Sequence, residues 1–269
     1  MNPNKFRYLI CPVCGGNMHT EQNTLKCEHG HSYDIASSGY VNLLPPHKKD
    51  TVPGDNKDMV RARRDFLLKG YYSPLADKLT EICNLYKPSV IADIGCGEGY
   101  YTSKLGCSGA YVMGFDISKF ALTVASKRDK ASDYCVANLH ELPIADCTAD
   151  AVFCCFCAYD AAEFARILNT DGKFVFVTPA RRHLFGLKGL LYENPYENDE
   201  TLPDMEGFRL ISSERIEYTA DIKGMDDIMN LFAMTPYFWK TPKSGADKLK
   251  ALDCLTTEVA FAVNTYVKL

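Results

Sequence analysis

Asp93-Ile94-Gly95-Cys96-Gly97-Glu98-Gly99 decides how this 269-residue chain is read. The apolar run that leads into it, residues 89–93, reads as a buried parallel strand. Three alternate glycines then let the backbone turn and approach a ligand closely before Tyr100 and Tyr101 open a helix. A second apolar run, residues 110–115, ends at Asp116, where a carboxylate at the C-terminal end of a strand can accept both hydroxyls of a ribose. A nucleotide-like cofactor is the expected occupant. The spacing is GxGxG with an acid two residues ahead, rather than the GxGxxG of a dinucleotide site, so no helix N-terminus is reserved for a pyrophosphate.

Beyond Asp116 the pattern repeats. Ser118 caps a helix over residues 118–127, followed by a strand at 133–137, a strand at 149–156, a helix at 161–168 and a strand at 173–178. Such alternation predicts an α/β domain, a doubly wound sheet with helices on both faces and its ligand at the C-terminal strand ends. The run 258–267, with Val259, Phe261 and Val263 alternating, predicts a last strand inserted antiparallel. Cys154-Cys155-Phe156-Cys157 falls at a strand end, where successive side chains point to opposite faces and do not converge on one ion. After Pro179, Arg181-Arg182-His183 precedes the apolar Leu184, Leu187, Leu190 and Leu191 of a helix, a segment expected to face substrate.

Upstream, Cys11-Pro12-Val13-Cys14 and Cys27-Glu28-His29-Gly30-His31 supply two close ligand pairs across a loop, the spacing of a structural zinc site. Cys11, Cys14, Cys27 and His31 complete a tetrahedron with no open position. His29 competes for the fourth place, but Cys-x-His is cramped where Cys-x3-His leaves room to turn back. Residues 24–26 and 32–35 read as short strands, so a zinc-ribbon-like domain is expected over residues 1–36. Residues 37–72 form a basic connecting segment, with a strand at 39–44 and a helix at 56–69 placing Met59, Ala62, Phe66 and Leu67 on one face. Residues 73–269 form the large domain, opening on a helix with Ser73 as cap and Pro74 in its first turn.

The net charge is −4, from 30 Lys and Arg against 34 Asp and Glu. It is uneven: residues 1–72 carry ten basic against seven acidic side chains, leaving twenty against twenty-seven for the rest. Lys48, Lys49, Arg61, Arg63 and Arg64, with Arg181 and Arg182 downstream, are the candidate phosphate contacts. Hydrophobic content of 46% supports a packed core, and no run reaches the roughly 20 apolar residues of a membrane span. Twelve cysteines without a secretory leader read as free thiols in a reducing, cytoplasmic setting.

The glycine-turn spacing with its flanking acids resembles that of S-adenosylmethionine-dependent methyltransferases. The whole chain resembles the bacterial 23S ribosomal RNA (guanine-N1)-methyltransferases of the RlmA type. The resemblance is carried by the Cys11-x2-Cys14-x12-Cys27-x3-His31 set, Gly39-Tyr40-Val41-Asn42-Leu43-Leu44, Pro53-Gly54-Asp55, Ala62-Arg63-Arg64, the stretch from Asp93 to Thr102, Arg182-His183-Leu184, and Met234-Thr235-Pro236 with Trp239. It implies a class I (Rossmann-like) methyltransferase domain behind a zinc ribbon, with zinc and S-adenosylmethionine as cofactors. The resemblance implies cofactor contacts at Tyr72, Gly97, Glu98, Asp116 and His183; the glycine-turn motif adds Asp93, Gly95 and Gly99, and Asn138 follows the third core strand, where methyltransferases often place a polar residue against the adenine amino group. It also implies a homodimer whose ribbons frame a cleft for a hairpin of 23S rRNA. Methylation at N1 requires the guanine to leave its stack, with Tyr159 a candidate stacking partner and Asp160 a candidate proton acceptor. One position departs from the family: after the fourth core strand the chain reads Phe156-Cys157-Ala158-Tyr159-Asp160, without the usual proline. Two other readings remain open: a small-molecule methyltransferase, and a zinc-ribbon RNA-binding protein with a silent methyltransferase domain.

Overall fold

Side chains alternate across the central strands, and both faces are covered. In β5 (Val90–Ile94), Ile91 joins one apolar cluster with Val112, Phe153, Val175 and Phe261, whereas Val90, Ala92 and Ile94 join another with Met113, Phe115, Val152 and Phe176. Burial on both sides is why these strands read as continuous apolar runs. The computed structural model describes residues 5–45, 53–106, 109–241 and 243–269.

The sheet has eight strands in the order β10 (Phe208–Lys223), β11 (Cys254–Lys268), β9 (Leu168–Pro179), β8 (Ala149–Cys155), β5, β6 (Tyr111–Asp116), β7 (Asp133–Val136) and β4 (Tyr40–Asn42). Neighbours from β4 to β9 pair in parallel, and β11 runs antiparallel between β9 and β10, as the sequence predicts. Helices α1 (Lys57–Leu68), α2 (Ser73–Tyr86), α6 (Phe185–Leu191) and α7 (Met225–Ala233) cover one face, and α5 (Ala161–Ile167) lies on the other. The sequence also foreshadows α4 (Lys119–Arg128), capped by Ser118, which accepts from Ala121 N–H at 3.3 Å. Short helices α3 (Thr102–Leu105), α8 (Tyr237–Lys240) and α9 (Lys243–Leu249) lie within connections.

Several local expectations shift. In α1 the cap is Asn56, which accepts from the Asp58 and Met59 amides at 3.0 Å each, and Val60 rather than Met59 completes the buried face. Ser73 lies inside α2 instead of capping it, with its N–H bonded to Gly70 O at 3.0 Å. Strand β10 has no counterpart in the sequence reading: most of its side chains are exposed, and Arg209, Glu214, Arg215, Glu217 and Lys223 interrupt any apolar pattern, as befits a sheet edge.

The N-terminal ribbon is a small sheet of β1 (Met18–Glu21), β2 (Thr24–Cys27) and β3 (Ser32–Asp34). It does not stand apart. Phe6, Leu9, Met18, Leu25 and Ile35 belong to the same buried cluster as Phe115 and Ile144. Backbone bridges join Leu9 to Ile144 and Ile35 to Val41. Strand β4 in turn pairs with β7 through Val41 and Cys135. Among the described residues no helix is long and apolar enough to cross a membrane.

Gly114 in β6 sits where a Cβ would stand 2.8 Å from Tyr134 Cε1 and 3.0 Å from Cys96 Sγ. Tyr134 is fully buried and its ring cannot swing away. Gly114→Ala is expected to destabilise the fold by about 1–3 kcal/mol, as overpacking does. An unchanged midpoint in urea denaturation would refute this account of the core.

Candidate functional site

The metal cluster follows from turns at the ribbon's two ends. The Gly15 N–H donates to Cys11 O at 2.8 Å and the Cys27 N–H donates to His31 O at 2.9 Å, which folds each ligand pair back on itself. The donor atoms of Cys11, Cys14, Cys27 and His31 all lie within 4.8 Å of one another. His31 Nδ1 stands 3.5 Å from Cys11 Sγ and 3.3 Å from Cys27 Sγ, and Cys14 Sγ stands 3.8 Å from Cys27 Sγ. A tetrahedral zinc with bonds of about 2.0–2.3 Å holds its ligand atoms about 3.5–3.8 Å apart, so the set fits that ion. His29 is exposed with Nδ1 3.4 Å from Cys14 Sγ, at the cluster's outer edge. Burial raises the Cys11 thiol, but the Tyr33 hydroxyl and the Val13 and Cys14 amides outweigh it and bring it down to about 6, which favours the thiolate a metal needs.

The second site is a cavity of about 960 Å³ at the C-terminal ends of the parallel strands. At its floor the glycine turn is held by Asp116, whose Oδ2 accepts from Gly97 N–H at 2.9 Å and whose Oδ1 accepts from Ser118 N–H at 2.7 Å. Gly97 has φ of +55°, and a Cβ there would point into open space, with Arg63 Nη1 the nearest atom at 3.9 Å. A ligand can therefore lie directly on the Gly97 backbone. Gly95 is closed off instead: its Cβ would stand 2.4 Å from Cys157 Sγ. Asp93 lies beneath, accepting from Thr102 Oγ1 at 2.6 Å, and burial lifts its carboxyl to about 7. Burial also raises Asp116 and Glu98; Arg128 partly offsets the latter, with Nη2 2.5 Å from Glu98 Oε2.

Tyr72, Asp93, Gly95, Gly97, Glu98, Asp116, Asn138 and His183 all line this cavity. Gly99 does not: it faces α4, where a Cβ would meet Ala125 Cβ at 2.8 Å. Ala260 N–H donates to His183 Nδ1 at 3.2 Å, which leaves the ring proton on Nε2, 3.3 Å from the Tyr72 hydroxyl. Burial holds His183 down to about 3, so the ring stays neutral, and the Tyr72 hydroxyl accepts from it while keeping its own proton for another acceptor.

Other expected residues fall elsewhere. Tyr159 packs on Phe176 at 5.3 Å and is half-buried away from the cavity lining. Asp160 caps α5 by accepting from Glu163 N–H at 3.0 Å, and its other oxygen bonds His140 Nδ1 at 2.7 Å. That His140 contact holds its carboxyl below the usual range, which weakens it as a proton acceptor. Lys48 and Lys49 lie outside the described residues. Arg61 and Arg64 pair with Asp58 and Asp65 on the surface. Arg63 turns into the cavity, paired with Asp55, and Arg181 and Arg182 are engaged by Glu197, Glu200 and Glu258. Sequence reasoning missed the cavity's outer wall, where Phe156, Tyr196 and Trp239 are 42%, 49% and 65% exposed. Lys188 braces that wall from within, fully buried, with Nζ donating to Tyr196 O at 2.9 Å and Asn198 Oδ1 at 2.7 Å.

The parallel sheet, the glycine turn clamped by an aspartate and the cysteine–histidine cluster define a class I S-adenosylmethionine-dependent methyltransferase carrying an N-terminal zinc ribbon. Residues 9–51 match the zinc ribbon described as RlmA, N-terminal, and residues 92–176 match a methyltransferase domain. The chain belongs to the family of 23S rRNA (guanine-N1)-methyltransferases. It is 30% identical over 250 residues to the 23S rRNA (guanine(748)-N(1))-methyltransferase of Streptomyces fradiae, covering 89% of this chain and 88% of that one. It is also 30% identical to a putative 23S rRNA (guanine-N(1)-)-methyltransferase of Bacillus subtilis, covering 92% of each. A putative methyltransferase from Bacillus halodurans shares the fold, with a TM-score of 0.50 and 15% identity over 72% of this chain and 98% of that one.

Removing zinc with a chelator is expected to unfold the ribbon first, because it has no core of its own: its apolar side chains are shared with the large domain, and metal ligation supplies the rest of its folding energy. Metal analysis should give one zinc per chain, lost in Cys27→Ser. A chelator that releases zinc without altering hydrogen exchange over residues 9–35 would contradict the structural role.

Proposed function

We propose that this chain transfers a methyl group from S-adenosylmethionine to N1 of a guanine in a hairpin of 23S rRNA. One observation carries the reading: a single cavity runs from the Asp116 and Asn138 cradle to the aromatic rim of Phe156, Tyr196 and Trp239, so a nucleoside cofactor and a displaced base can lie in one space. In this reading Asp116 accepts the ribose hydroxyls, Asn138 faces the adenine, and the Gly97 backbone, Tyr72 and His183 line the path of the amino-acid end. When bound, the cofactor supplies a sulfonium methyl as electrophile. The protein contributes alignment, which can be worth effective molarities of roughly 10⁵ to 10⁸ M.

The strand order arranges the two ligands. Asp116 ends β6 and Asn138 follows β7, whereas Phe156 follows β8 on the far side of β5, so the base lies across the glycine turn from the adenine. Phe156 has φ of +60°, an uncommon conformation for a bulky side chain, and its ring rests on Phe261 at 5.4 Å while keeping exposed area for stacking. Of the aromatic side chains near this loop, Phe156 takes the stacking role that the sequence points to at Tyr159. The family resemblance further supports a cytoplasmic homodimer whose zinc ribbons frame the RNA. Exposed rim aromatics, together with Lys240 and Arg63, favour a nucleic acid over a small molecule as acceptor.

The test is transfer of labelled methyl to large-subunit RNA with a matching reverse-transcription stop, since methyl on the pairing edge blocks copying. Label in a small-molecule fraction, or RNA binding without label, would overturn the reading. Asp116→Ala is expected to weaken S-adenosylhomocysteine binding about 10- to 100-fold, through loss of hydrogen bonds to a charged group worth about 1.5–3 kcal/mol. Phe156→Ala and Trp239→Ala should instead lower kcat/KM for RNA by about 5- to 100-fold, the range for loss of one base-stacking contact, with cofactor affinity within about threefold.

A further inference from the structure

The strand that carries Cys154 ends one residue later, and the consequence departs from the sequence expectation. Phe156 reverses the backbone with its positive φ, and Cys157 returns over the strand so that its Sγ lies 3.3 Å from Cys154 Sγ. The rule that neighbouring strand positions face opposite ways holds for Cys154 and Cys155 but lapses at Cys157, which is outside β8. No third ligand joins the two sulfurs among the described residues, so they are not a metal site.

The two thiols differ in access. Cys157 is half-buried and lines the cofactor cavity, while Cys154 is fully buried behind it. Cys157 also touches the machinery: its Sγ lies 2.4 Å from where a Cβ on Gly95 would stand, and 3.4 Å from Ile94 O. Its neighbours Phe156 and Ala158 line the same cavity. A modification at this sulfur therefore acts on the glycine turn from one side and the acceptor rim from the other.

We propose that Cys157 and Cys154 are a redox-modification site at which a hydroperoxide forms a disulfide that shuts off methyl transfer. Hydrogen peroxide, the simplest such oxidant, enters from the cavity: the Cys157 sulfur attacks one of its oxygens and becomes a sulfenic acid, the O–O bond breaks, and the other oxygen leaves as water. The Cys154 sulfur then displaces that hydroxyl as a second water, the S–S bond forms, and the peroxide has accepted the two electrons the thiols lose. Closing to an S–S bond of about 2.05 Å draws Cys157 towards Cys154 by roughly 1 Å or more. That shift displaces the Phe156–Ala158 loop from its place over Gly95. The contact with Cys157, followed by burial, keeps the Cys154 thiol protonated well above its ordinary range, so it is not the first to react; its proton leaves with the displaced hydroxyl as the S–S bond forms.

The site rests on the cofactor reading above only for its effect on activity; the bond itself is read independently. Reduced, zinc-loaded protein would be treated with hydrogen peroxide, alkylated and mapped by mass spectrometry, with zinc release, S-adenosylhomocysteine affinity and methyl transfer followed in parallel. The expected result is loss of two hydrogens on the peptide spanning residues 154–157, an activity drop of at least tenfold restored by dithiothreitol, and at least fivefold slower bridge formation with S-adenosylhomocysteine bound. Cys154→Ala, or Cys154→Ser where the former does not fold, should give no bridge and a dimedone adduct on Cys157. Full alkylation of these cysteines after peroxide, a bridge that persists in the Cys154 variants, or inactivation that tracks zinc release alone would overturn the proposal. Reduced protein that fails to bind S-adenosylhomocysteine yet still forms the bridge would refute the cofactor reading and leave the bond intact.

Discussion

The Asp116 carboxylate organises the catalytic half of the molecule. Its two oxygens take the amides of Gly97 and Ser118, so one side chain joins the glycine turn after β5 to the start of α4 after β6. Ser118 extends the link by donating from its hydroxyl to Asp55 O at 2.7 Å, which brings the connecting segment over the same end of the sheet. Three pieces of chain distant in sequence thus meet at one buried acid. Since each carboxylate oxygen has lone pairs beyond those used, the group that shapes the cradle can also receive a ligand's hydroxyls without being released from its task.

Around that acid the protein concentrates groups that are costly to bury. Asp93, Glu98 and Asp116 are all raised by desolvation, and of the three it is Glu98 that has an arginine in ion-pair contact, Arg128 at 2.5 Å. A positive charge placed among them would favour the ionised carboxylates. The neutral pair of Tyr72 and His183 supplies the complement: His183 orients the Tyr72 hydroxyl, a donor that adds no charge.

Much of this was legible in the sequence because it rests on local rules. Short apolar runs marked β5, β6, β7 and β8 within a residue or two, Ser118 marked the start of α4, and the Cys-x2-Cys and Cys-x3-His pairs marked the metal cluster. What escaped depends on distant partners. Strand β10 carries charges along an edge and owes its existence to pairing with β11 along its whole length, from Phe208 to Lys223, with a bulge between Leu210 and Ser212. Arg181 and Arg182, read as phosphate contacts, are opposed by Glu197, Glu200 and Glu258, which reach them only through the fold. Phe156 and Tyr159 share one loop, and only the backbone reversal at Phe156 decides which ring meets the cavity.

The ribbon's attachment has a geometric corollary. With Leu9 bridged to Ile144, Ile35 to Val41, and β4 laid along β7 as the edge strand opposite β10, the metal-bearing end is splinted to the very strand that leads to Asn138. A tethered arm could sample many separations from the reacting centre; a splinted one offers a single span. The metal cluster and the glycine turn are thereby set apart like the jaws of a fixed caliper, and anything that touches both must match that one distance.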